Sequence, residues 1–305
     1  MKRVLKVIGW VAGVIAVLIL GLVISIPIDG LFAASRLTAV ANLQIPNPNG
    51  PTIQAYVARP ATPGPHPAVI MVHEWWGLNP AITGMADALA AEGYLVIAPD
   101  LFRGSSTSWI PRAIYQVSTT PAEQINLDLD AVHAWLRQQP DVDTARIGVI
   151  GFCFGGRASL LYSIHNPDGI AATGIFYGMA TTDPAQLAAL RSPVLGIFGG
   201  ADTSIPLDEV QALEAGLVQA GIEQTITVYP DQPHAFVRDA EAIAQPGAAR
   251  DAWLQLLGFL DTNLKQAAAG GEIPASATPA GWADPTALSP FGLVHHALVC
   301  GIKWA

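Results

Sequence analysis

The sequence is poor in cysteine and in charge. It has two cysteines in 305 residues, Cys153 and Cys300, and charged residues make up 13% of it. Two cysteines can form one disulfide but not a disulfide framework, and no CxxC or paired Cys/His spacing predicts a zinc site. His295 and His296 lie close to Cys300, but a fourth ligand is missing there. We therefore expect no metal and no cofactor.

Positive charge is scarce as well. The 15 Lys and Arg residues are outnumbered by 24 Asp and Glu, which gives a formal net charge of −9. No basic patch with interleaved aromatic residues occurs, so nucleic acid is excluded as a partner. Apolar residues, in contrast, form 51% of the chain, enough to fill the core of one large domain.

One long apolar run stands near the N-terminus. Residues 7–26 read VIGWVAGVIAVLILGLVISI, and a helix rising about 1.5 Å per residue over this length spans the ~30 Å hydrocarbon core of a bilayer. Lys2, Arg3 and Lys6 precede the run, which favours a cytoplasmic N-terminus and an extracytoplasmic remainder. We predict that residues 1–28 are a membrane anchor.

A cleaved signal peptide is the alternative to an anchor. Residues 32–35, Phe-Ala-Ala-Ser, offer small side chains to a peptidase, and the protein would then be secreted. The apolar run is longer than the roughly 7–15 residues that are usual in a signal peptide. Its length therefore favours the uncleaved anchor.

The rest of the chain divides into three parts. We expect a linker over 29–50, where Pro46, Pro48 and Gly50 break regular structure. In 51–266, short β-rich runs alternate with helical patterns, which predicts a mostly parallel sheet with helices on both faces. Residues 267–305 are rich in Ala, Gly, Pro and Thr and predict a weakly structured tail. Strands are predicted at 53–58, 68–72, 94–98, 146–150, 171–176, 194–198 and 225–229, and helices at 80–92, 122–138, 155–164, 207–220 and 248–265.

A glycine-rich turn follows the predicted strand 146–150. Residues 151–156 read GFCFGG, with Cys153 at the centre of a G-x-C-x-G-G pattern. A nucleophile on a sharp strand-to-helix turn needs small neighbours two residues away, and the following helix N-terminus favours a thiolate. The alternative is a buried structural cysteine at a helix start. A phosphate loop in its usual form is excluded because no Lys-Ser/Thr follows the glycines.

An acid and a base follow two later strands. Asp202 comes after the strand 194–198, 49 residues past Cys153, and His234 comes after the strand 225–229, 32 residues further on. This order is that of the α/β-hydrolases. His234 would take the thiol proton, and Asp202 would orient the imidazole. Taken singly, Asp202 is also a common helix-cap residue and His234 also fits an exposed loop.

Other ionisable residues are weaker candidates. Asp231 is a rival acid, but it lies only three residues before His234 on the same loop. The remaining histidines of the domain are expected to be structural or surface residues. They are His66, His73, His133 and His165.

Three motifs together resemble the dienelactone hydrolase family of α/β-hydrolases. They are GFCFGG at 151–156, HAF at 234–236, and VHEWWGLN at 72–79. The resemblance covers roughly residues 50–265. It implies that Glu74 helps to generate the thiolate and that the backbone N–H groups of Trp75 and Phe154 form the oxyanion hole.

The resemblance also implies a substrate-binding set. Arg103 and Arg238 match arginines that hold a substrate carboxylate, for which bidentate pairing is physically natural. Apart from the resemblance, an apolar, aromatic pocket wall is suggested by Trp75, Trp76, Phe102, Trp109 and Phe236, of which Trp76 and Phe236 are the predicted substrate contacts. Such side chains also serve ordinary packing.

The function predicted from these residues is hydrolysis of a lactone or small ester through a Cys153 thioester, as in a carboxymethylenebutenolidase. Amidases of the glutaminase type also use a G-x-C-x-G turn, but they keep histidine and acid two residues apart. A second alternative is a non-catalytic, membrane-anchored binding protein, because fold alone does not guarantee activity.

Overall fold

One mostly parallel sheet organises the chain. The computed structural model describes residues 2–179 and 181–266, and over these residues eight strands form a sheet in the order β1-β2-β4-β3-β5-β6-β7-β8. β1 and β2 pair antiparallel, as do β2 and β4, and all other neighbours are parallel. The strands are β1 (Leu43–Ile45), β2 (Ile53–Ala58), β3 (His66–Val72), β4 (Leu95–Pro99), β5 (Val142–Phe152), β6 (Ala172–Phe176), β7 (Val194–Gly199) and β8 (Gln224–Tyr229).

Continuous apolar sequence explains the central strands. Every residue of β3, β4, β6 and β7 is buried, as expected for parallel strands covered on both faces. All seven predicted strands occur, with ends shifted by up to four residues at the start of β5. Only the three-residue β1 was not predicted, because it is too short to show a pattern of its own and exists by pairing with β2.

Helices cover both faces of the sheet. Within the described ranges they are α1 (Lys2–Thr38), α2 (Pro80–Ala91), α3 (Ile110–Thr119), α4 (Ala122–Leu136), α5 (Phe154–His165), α6 (Pro184–Leu187), α7 (Leu207–Gln219), α8 (Ala240–Ala244) and α9 (Ala248–Leu260), which continues as a π-helical turn at Asp261–Gln266. All five helices predicted for the domain are present, and α3, α6 and α8 are additional. The mostly parallel α/β architecture predicted from sequence is therefore confirmed.

The N-terminal helix is longer than the sequence predicts. α1 continues through Pro27 to Thr38, so residues 29–38 are helical rather than part of a linker. The reason is tertiary: Ala33 and Leu37 are buried against the domain, and Arg36 donates a hydrogen bond to the Ser106 carbonyl at 3.1 Å. These contacts offset the one helical hydrogen bond that Pro27 cannot donate.

The preceding part of α1 is apolar and exposed. In the described part of the chain it is the one helix long and apolar enough to cross a membrane, and its most apolar stretch is not buried within the protein. This agrees with the predicted apolar helix at the N-terminus. The predicted tail at 267–305, which includes His295, His296 and Cys300, lies outside the described residues.

Candidate active site

The carboxyl ends of the central strands bring the candidate residues to one edge of the sheet. Register pairs place Val72 beside Gly151, Gly151 beside Ile175, and Gly199 beside Tyr229. The loops that leave β3, β5, β7 and β8 therefore start at one edge, where ligands bind in open α/β sheets.

Cys153 sits on a strained turn between β5 and α5. Its backbone φ of +53° lies in the left-handed region, which is unfavourable for a residue with a side chain. A Cβ on Gly151 would lie 2.1 Å from the carbonyl oxygen of Gly155, and a Cβ on Gly155 would lie 2.2 Å from that of Val72. Both positions therefore require glycine. The turn is held by a hydrogen bond from the Cys153 N–H to the Phe176 carbonyl at 2.9 Å.

The turn also places the thiol at a helix N-terminus. Cys153 immediately precedes Phe154, the first residue of α5. The first N–H groups of a helix have no acceptor within the helix and carry partial positive charge. Negative charge on the sulfur or on a bound oxyanion is stabilised at this position.

His234 and Asp202 form a close pair. Nδ1 of His234 lies 2.6 Å from Oδ2 of Asp202, and the Asp202 side chain is almost fully buried. Oδ1 of Asp202 accepts hydrogen bonds from the N–H groups of Ser204 at 2.7 Å and Ile205 at 3.3 Å. The carboxylate is thus fixed, and because it occupies Nδ1, Nε2 is the ring nitrogen that can exchange a proton with a thiol.

Charge at the site favours a protonated imidazole. Burial alone lowers the pKa of His234, but the charge of Cys153, the hydrogen bonds with Asp202 and Cys153, and the charge of Asp202 raise it well above the ordinary value of 6.5. Cys153 and Asp202 therefore both act on the His234 imidazole, through hydrogen bonds and through charge. This arrangement suits a thiolate–imidazolium pair.

Two close backbone approaches position the His234 loop. A Cβ on Gly199 would lie 2.3 Å from the carbonyl oxygen of Gln232, and a Cβ on Gly200 would lie 2.3 Å from that of Pro230. The paired glycines after β7 therefore let the loop after β8 pack directly against the loop that carries Asp202.

Tyr177 is a site residue that the sequence analysis missed. Its ring packs edge-on against His234, with centroids 5.2 Å apart, and its hydroxyl donates to the Val237 carbonyl at 2.7 Å. Burial, followed by the nearby negative charges, raises its pKa well above 10, so the hydroxyl remains a donor. Tyr177 comes directly after β6, and this position at a strand's carboxyl end is the signal that could have identified it.

Glu74 lies on the loop after β3 and interacts electrostatically with His234. Its Oε1 atom is buried and has no hydrogen-bond partner among the described residues. Burial raises the pKa of Glu74 to about 7, although the charge of His234 acts in the opposite direction. The carboxyl group therefore changes its charge near neutral pH.

The next residues of this loop are held by α3 and the segment before it. Gln116 Nε2 donates to the Trp75 carbonyl, and the Thr107 N–H donates to the Trp76 carbonyl at 2.9 Å. The Trp75 and Trp76 rings are 4.9 Å apart in an edge-on arrangement. Trp75 is buried and Trp76 is partly exposed.

The two predicted substrate arginines have different surroundings. Arg103 is bound through Nε and Nη2 to both oxygens of Asp128, at 3.1 and 2.9 Å, so its guanidinium is already occupied by a buried carboxylate. Arg238 is exposed and forms no ion pair with any residue that the structure describes. Of the two, Arg238 is the one available to an anionic ligand.

The remaining predicted site residues are placed in aromatic clusters. Phe236 is buried between Tyr177 and Tyr229, with ring centroids 6.0 and 5.3 Å away. Phe154 packs against Phe102 at 4.9 Å.

The four other histidines of the domain contact backbone or surface groups. They are His66 with the Thr62 carbonyl, His73 with the Glu74 carbonyl, His133 with the Gly169 carbonyl, and His165 with the Asp130 carboxylate.

This sheet, with a strained turn at Cys153 and a histidine and an acid on later loops, defines an α/β-hydrolase. The dienelactone hydrolase family profile matches residues 53–264. The chain belongs to this family and is a dienelactone-hydrolase-like hydrolase.

Individual relatives agree with this assignment. The chain is 37% identical over 223 residues to a protein of Escherichia coli K12, and 36% identical over 228 residues to one of Methylorubrum extorquens, each named "Putative carboxymethylenebutenolidase". The first match covers 68% of this chain and 82% of the relative, and the second covers 70% and 78%. The crystal structure of a "Putative Dienelactone Hydrolase" from Klebsiella pneumoniae is 34% identical, with a TM-score of 0.64, and the match covers 72% of this chain and 98% of that one.

Proposed function

We propose that the protein hydrolyses a lactone or small carboxylic ester, with Cys153 as nucleophile, His234 as acid and base, and Asp202 as the group that orients the imidazole. The observation that carries this proposal is the His234 imidazole, whose Nδ1 lies 2.6 Å from the buried Asp202 carboxylate and which forms a hydrogen bond with the thiol on the strained turn. The names of the relatives support the same substrate class.

In the first half-reaction, the sulfur of Cys153 bonds to the substrate carbonyl carbon and the carbonyl π electrons move to its oxygen. The N–H groups of Trp75 and Phe154 stabilise the resulting oxyanion. When the oxyanion collapses, the bond to the alkoxy oxygen breaks, and the imidazolium of His234 protonates the leaving oxygen. In a lactone this oxygen stays attached to the acyl chain.

In the second half-reaction, neutral His234 takes a proton from water, and the oxygen of that water attacks the thioester carbonyl. The second oxyanion collapses with cleavage of the carbon–sulfur bond. The carboxylic acid leaves, the Cys153 thiolate is regenerated, and the protonated imidazole again faces it.

We assign Glu74 the role of favouring the thiolate. When ionised, its buried carboxylate stabilises the positive charge of His234. Because transfer of the thiol proton to His234 creates the imidazolium and the thiolate together, this also favours the thiolate. Arg238 is assigned to a carboxylate on the substrate, four residues after His234, and Trp76 and Phe236 to the apolar wall. Arg103 is assigned to the structural pair with Asp128 instead.

The cellular arrangement that we propose is an uncleaved anchor with the catalytic domain on the extracytoplasmic side. Cleavage before Ser35 would remove Asp29, which accepts a hydrogen bond from Thr107 at 2.6 Å, and the buried Ala33. The domain contacts Asp29 through this hydrogen bond and Ala33 through packing. Intact mass measurement of protein purified from membranes would reveal a removed segment.

The experiment on catalysis compares the full-length protein with its Cys153→Ala and Cys153→Ser variants. Hydrolysis of p-nitrophenyl acetate and of an unsaturated lactone is followed, and mass spectrometry searches for an acyl adduct on Cys153. We expect turnover and an adduct only with the unchanged thiol. The matched control, Cys300→Ala, removes the other thiol and is expected to leave the rate unchanged. Equal rates for the wild type and Cys153→Ala would refute the proposal.

A further inference from the structure

α1 passes from the apolar run into the catalytic domain without a spacer. Two sets of exposed apolar side chains flank this junction, one on α1 and one on α3 and the residue before it. We call them the collar surface, which consists of Ile28, Leu31, Phe32, Trp109, Ile110 and Tyr115.

We propose that the collar surface lies in the headgroup region of a phospholipid bilayer, so that the domain rests directly on the membrane. This inference rests on the proposed anchor but not on the proposed chemistry. It adds a second contact between the protein and the lipid, made by the folded domain itself.

The length of the exposed apolar stretch supports this placement. Exposed apolar side chains on α1 begin at Val4 and reach Phe32, a stretch of 29 residues. At ~1.5 Å per residue this is about 43 Å, which matches the ~40–45 Å thickness of a bilayer with its interfacial regions. The hydrocarbon core accounts for residues 7–26, so Ile28, Leu31 and Phe32 fall in the interface beyond it.

The opposite face of the same helical turns is fixed to the domain. Asp29 accepts a hydrogen bond from Thr107 at 2.6 Å, and Arg36 donates to the Ser106 carbonyl at 3.1 Å. Leu37 is fully buried. Because the helix is continuous and one face is packed, the domain has a defined orientation relative to the bilayer rather than a flexible tether.

Trp109 connects the two halves of the collar surface. Its indole Nε1 donates to Ser25 Oγ at 2.9 Å, and Ser25 lies at the end of the apolar run. The indole is therefore at the depth where the hydrocarbon core ends. Trp and Tyr side chains are enriched at that depth because they join an apolar ring to a polar group.

Residues 105–107, just before Trp109, are buried and are linked through hydrogen bonds to the loop of the candidate site. The segment 105–109 ends at Trp109, and its Thr107 N–H donates to the Trp76 carbonyl. In the same segment, Ser105 donates to Gln116, whose amide donates to the Trp75 carbonyl. A lipid surface at Trp109 would thus lie next to the residues that hold the loop of Trp75 and Trp76 through hydrogen bonds.

The experiment places one label on the collar surface and one elsewhere. The full-length protein with Cys153→Ala and Cys300→Ala receives either Ile110→Cys or the matched control Val218→Cys. Val218 is on α7, and both native side chains are exposed, at 53% and 62%. Each cysteine is coupled to an environment-sensitive fluorophore, and the protein is reconstituted in phosphatidylcholine/phosphatidylglycerol vesicles that contain a lipid with a nitroxide near the headgroup.

We expect the label at 110 to emit at shorter wavelength, to lose at least half its intensity to the nitroxide lipid, and to resist quenching by aqueous iodide. The label at 218 should respond to iodide only. If the protein floats with the vesicles but iodide quenches both labels to the same extent, the inference is wrong while the anchor stands. If the protein does not float, the anchor and the inference fail together, while the proposed ester hydrolysis, which is measured separately on the wild-type protein, is not contradicted. Protection from iodide without quenching by the nitroxide lipid would instead assign the surface to residues 267–305 or to a second copy.

Discussion

A hydrogen bond between His73 and the Glu74 carbonyl fixes the peptide that carries the Trp75 N–H. Nδ1 of His73 lies 2.7 Å from that oxygen, and the Leu101 N–H donates to Nε2 at 3.1 Å, so the proton resides on Nδ1. The Gly77 N–H also donates to the Glu74 carbonyl, at 3.1 Å. Because a trans peptide is planar, the Trp75 N–H points away from this carbonyl, and the two donors set its direction.

The first prediction is that His73→Leu lowers kcat while KM changes little. Burial lowers the pKa of His73 to about 4, so the imidazole is neutral and acts through its hydrogen bonds alone. Loss of one oxyanion donor reduces kcat roughly 10²–10³-fold, and a misdirected donor should cost roughly 10–100-fold. Steady-state kinetics on a p-nitrophenyl ester would measure this.

Alkylation of Cys153 by iodoacetamide separates this effect from general damage, since the displacement forms no oxyanion. We expect its rate to stay within a few-fold of the wild type. His133→Leu, which removes another buried histidine, is the control and should leave kcat unchanged. Equal losses in alkylation and hydrolysis by His73→Leu would show a merely structural role.

The second prediction is that Glu74→Gln stabilises the protein and weakens its activity. The unfolded chain releases the Glu74 proton near pH 4.5, and the folded chain releases it near pH 7. Folding therefore becomes less favourable as pH rises between these values, and the ionised group destabilises the folded state above pH 7. The variant should gain about 1–3 kcal/mol at pH 8 and nothing below pH 4.5.

Denaturant unfolding at several pH values measures the gain, with the exposed Glu123→Gln as control. The activity of the wild type should rise with pH through about 7, as Glu74 ionises. The variant should lack this limb and lose roughly 10–100-fold in kcat/KM, an electrostatic contribution of about 1.4–3 kcal/mol. A pH profile identical to that of the wild type would exclude Glu74 from thiolate formation.

The third prediction separates the two arginines. Arg238→Gln should raise KM roughly tenfold for a lactone with a free carboxylate and leave a neutral ester unaffected, because one charge-assisted contact is lost. Arg103→Gln should instead reduce stability by about 3 kcal/mol, since it leaves the buried Asp128 carboxylate without its cation. The opposite pattern, with Arg103→Gln altering KM alone, would return Arg103 to the substrate site.

Local pattern explains what the sequence could predict. The central strands are continuous apolar runs, and the residues that follow them are placed by topology. This is why Cys153, Asp202 and His234 could be assigned before their contacts were known. The strained turn at Cys153 was predictable because its small neighbours at Gly151 and Gly155 are visible in the sequence.

Contacts between distant segments explain what could not be predicted. Tyr177 supports the His234 loop through a carbonyl 60 residues later. Arg103 pairs with a residue on α4 rather than with a ligand. α1 extends beyond residue 28 because Leu37 finds a buried position on a domain that forms later in the chain. In each case a contact with a residue distant in the sequence determines the position of the side chain or the length of the helix.

The last prediction tests the tight packing beneath the thiol. Gly155→Ala would place a Cβ 2.2 Å from the Val72 carbonyl oxygen and 2.6 Å from the His73 carbonyl oxygen. Backbone atoms cannot move aside as a flexible side chain can, so β3 and its loop must shift. We expect a loss of about 1–3 kcal/mol or more in the free energy of unfolding.

Gly258→Ala is the matched control for this substitution. Gly258 lies inside α9, and a Cβ there meets no atom within 4 Å. Alanine is the better helix former, so this variant should gain about 0.5–1 kcal/mol. Denaturant unfolding of both variants, with kcat measured in parallel, tests this prediction. Gly155→Ala should lose both stability and turnover, because the displaced His73 holds the Glu74 carbonyl through a hydrogen bond. If Gly155→Ala unfolds at the same denaturant concentration as Gly258→Ala, the turn is looser than described and the thiol is not rigidly positioned.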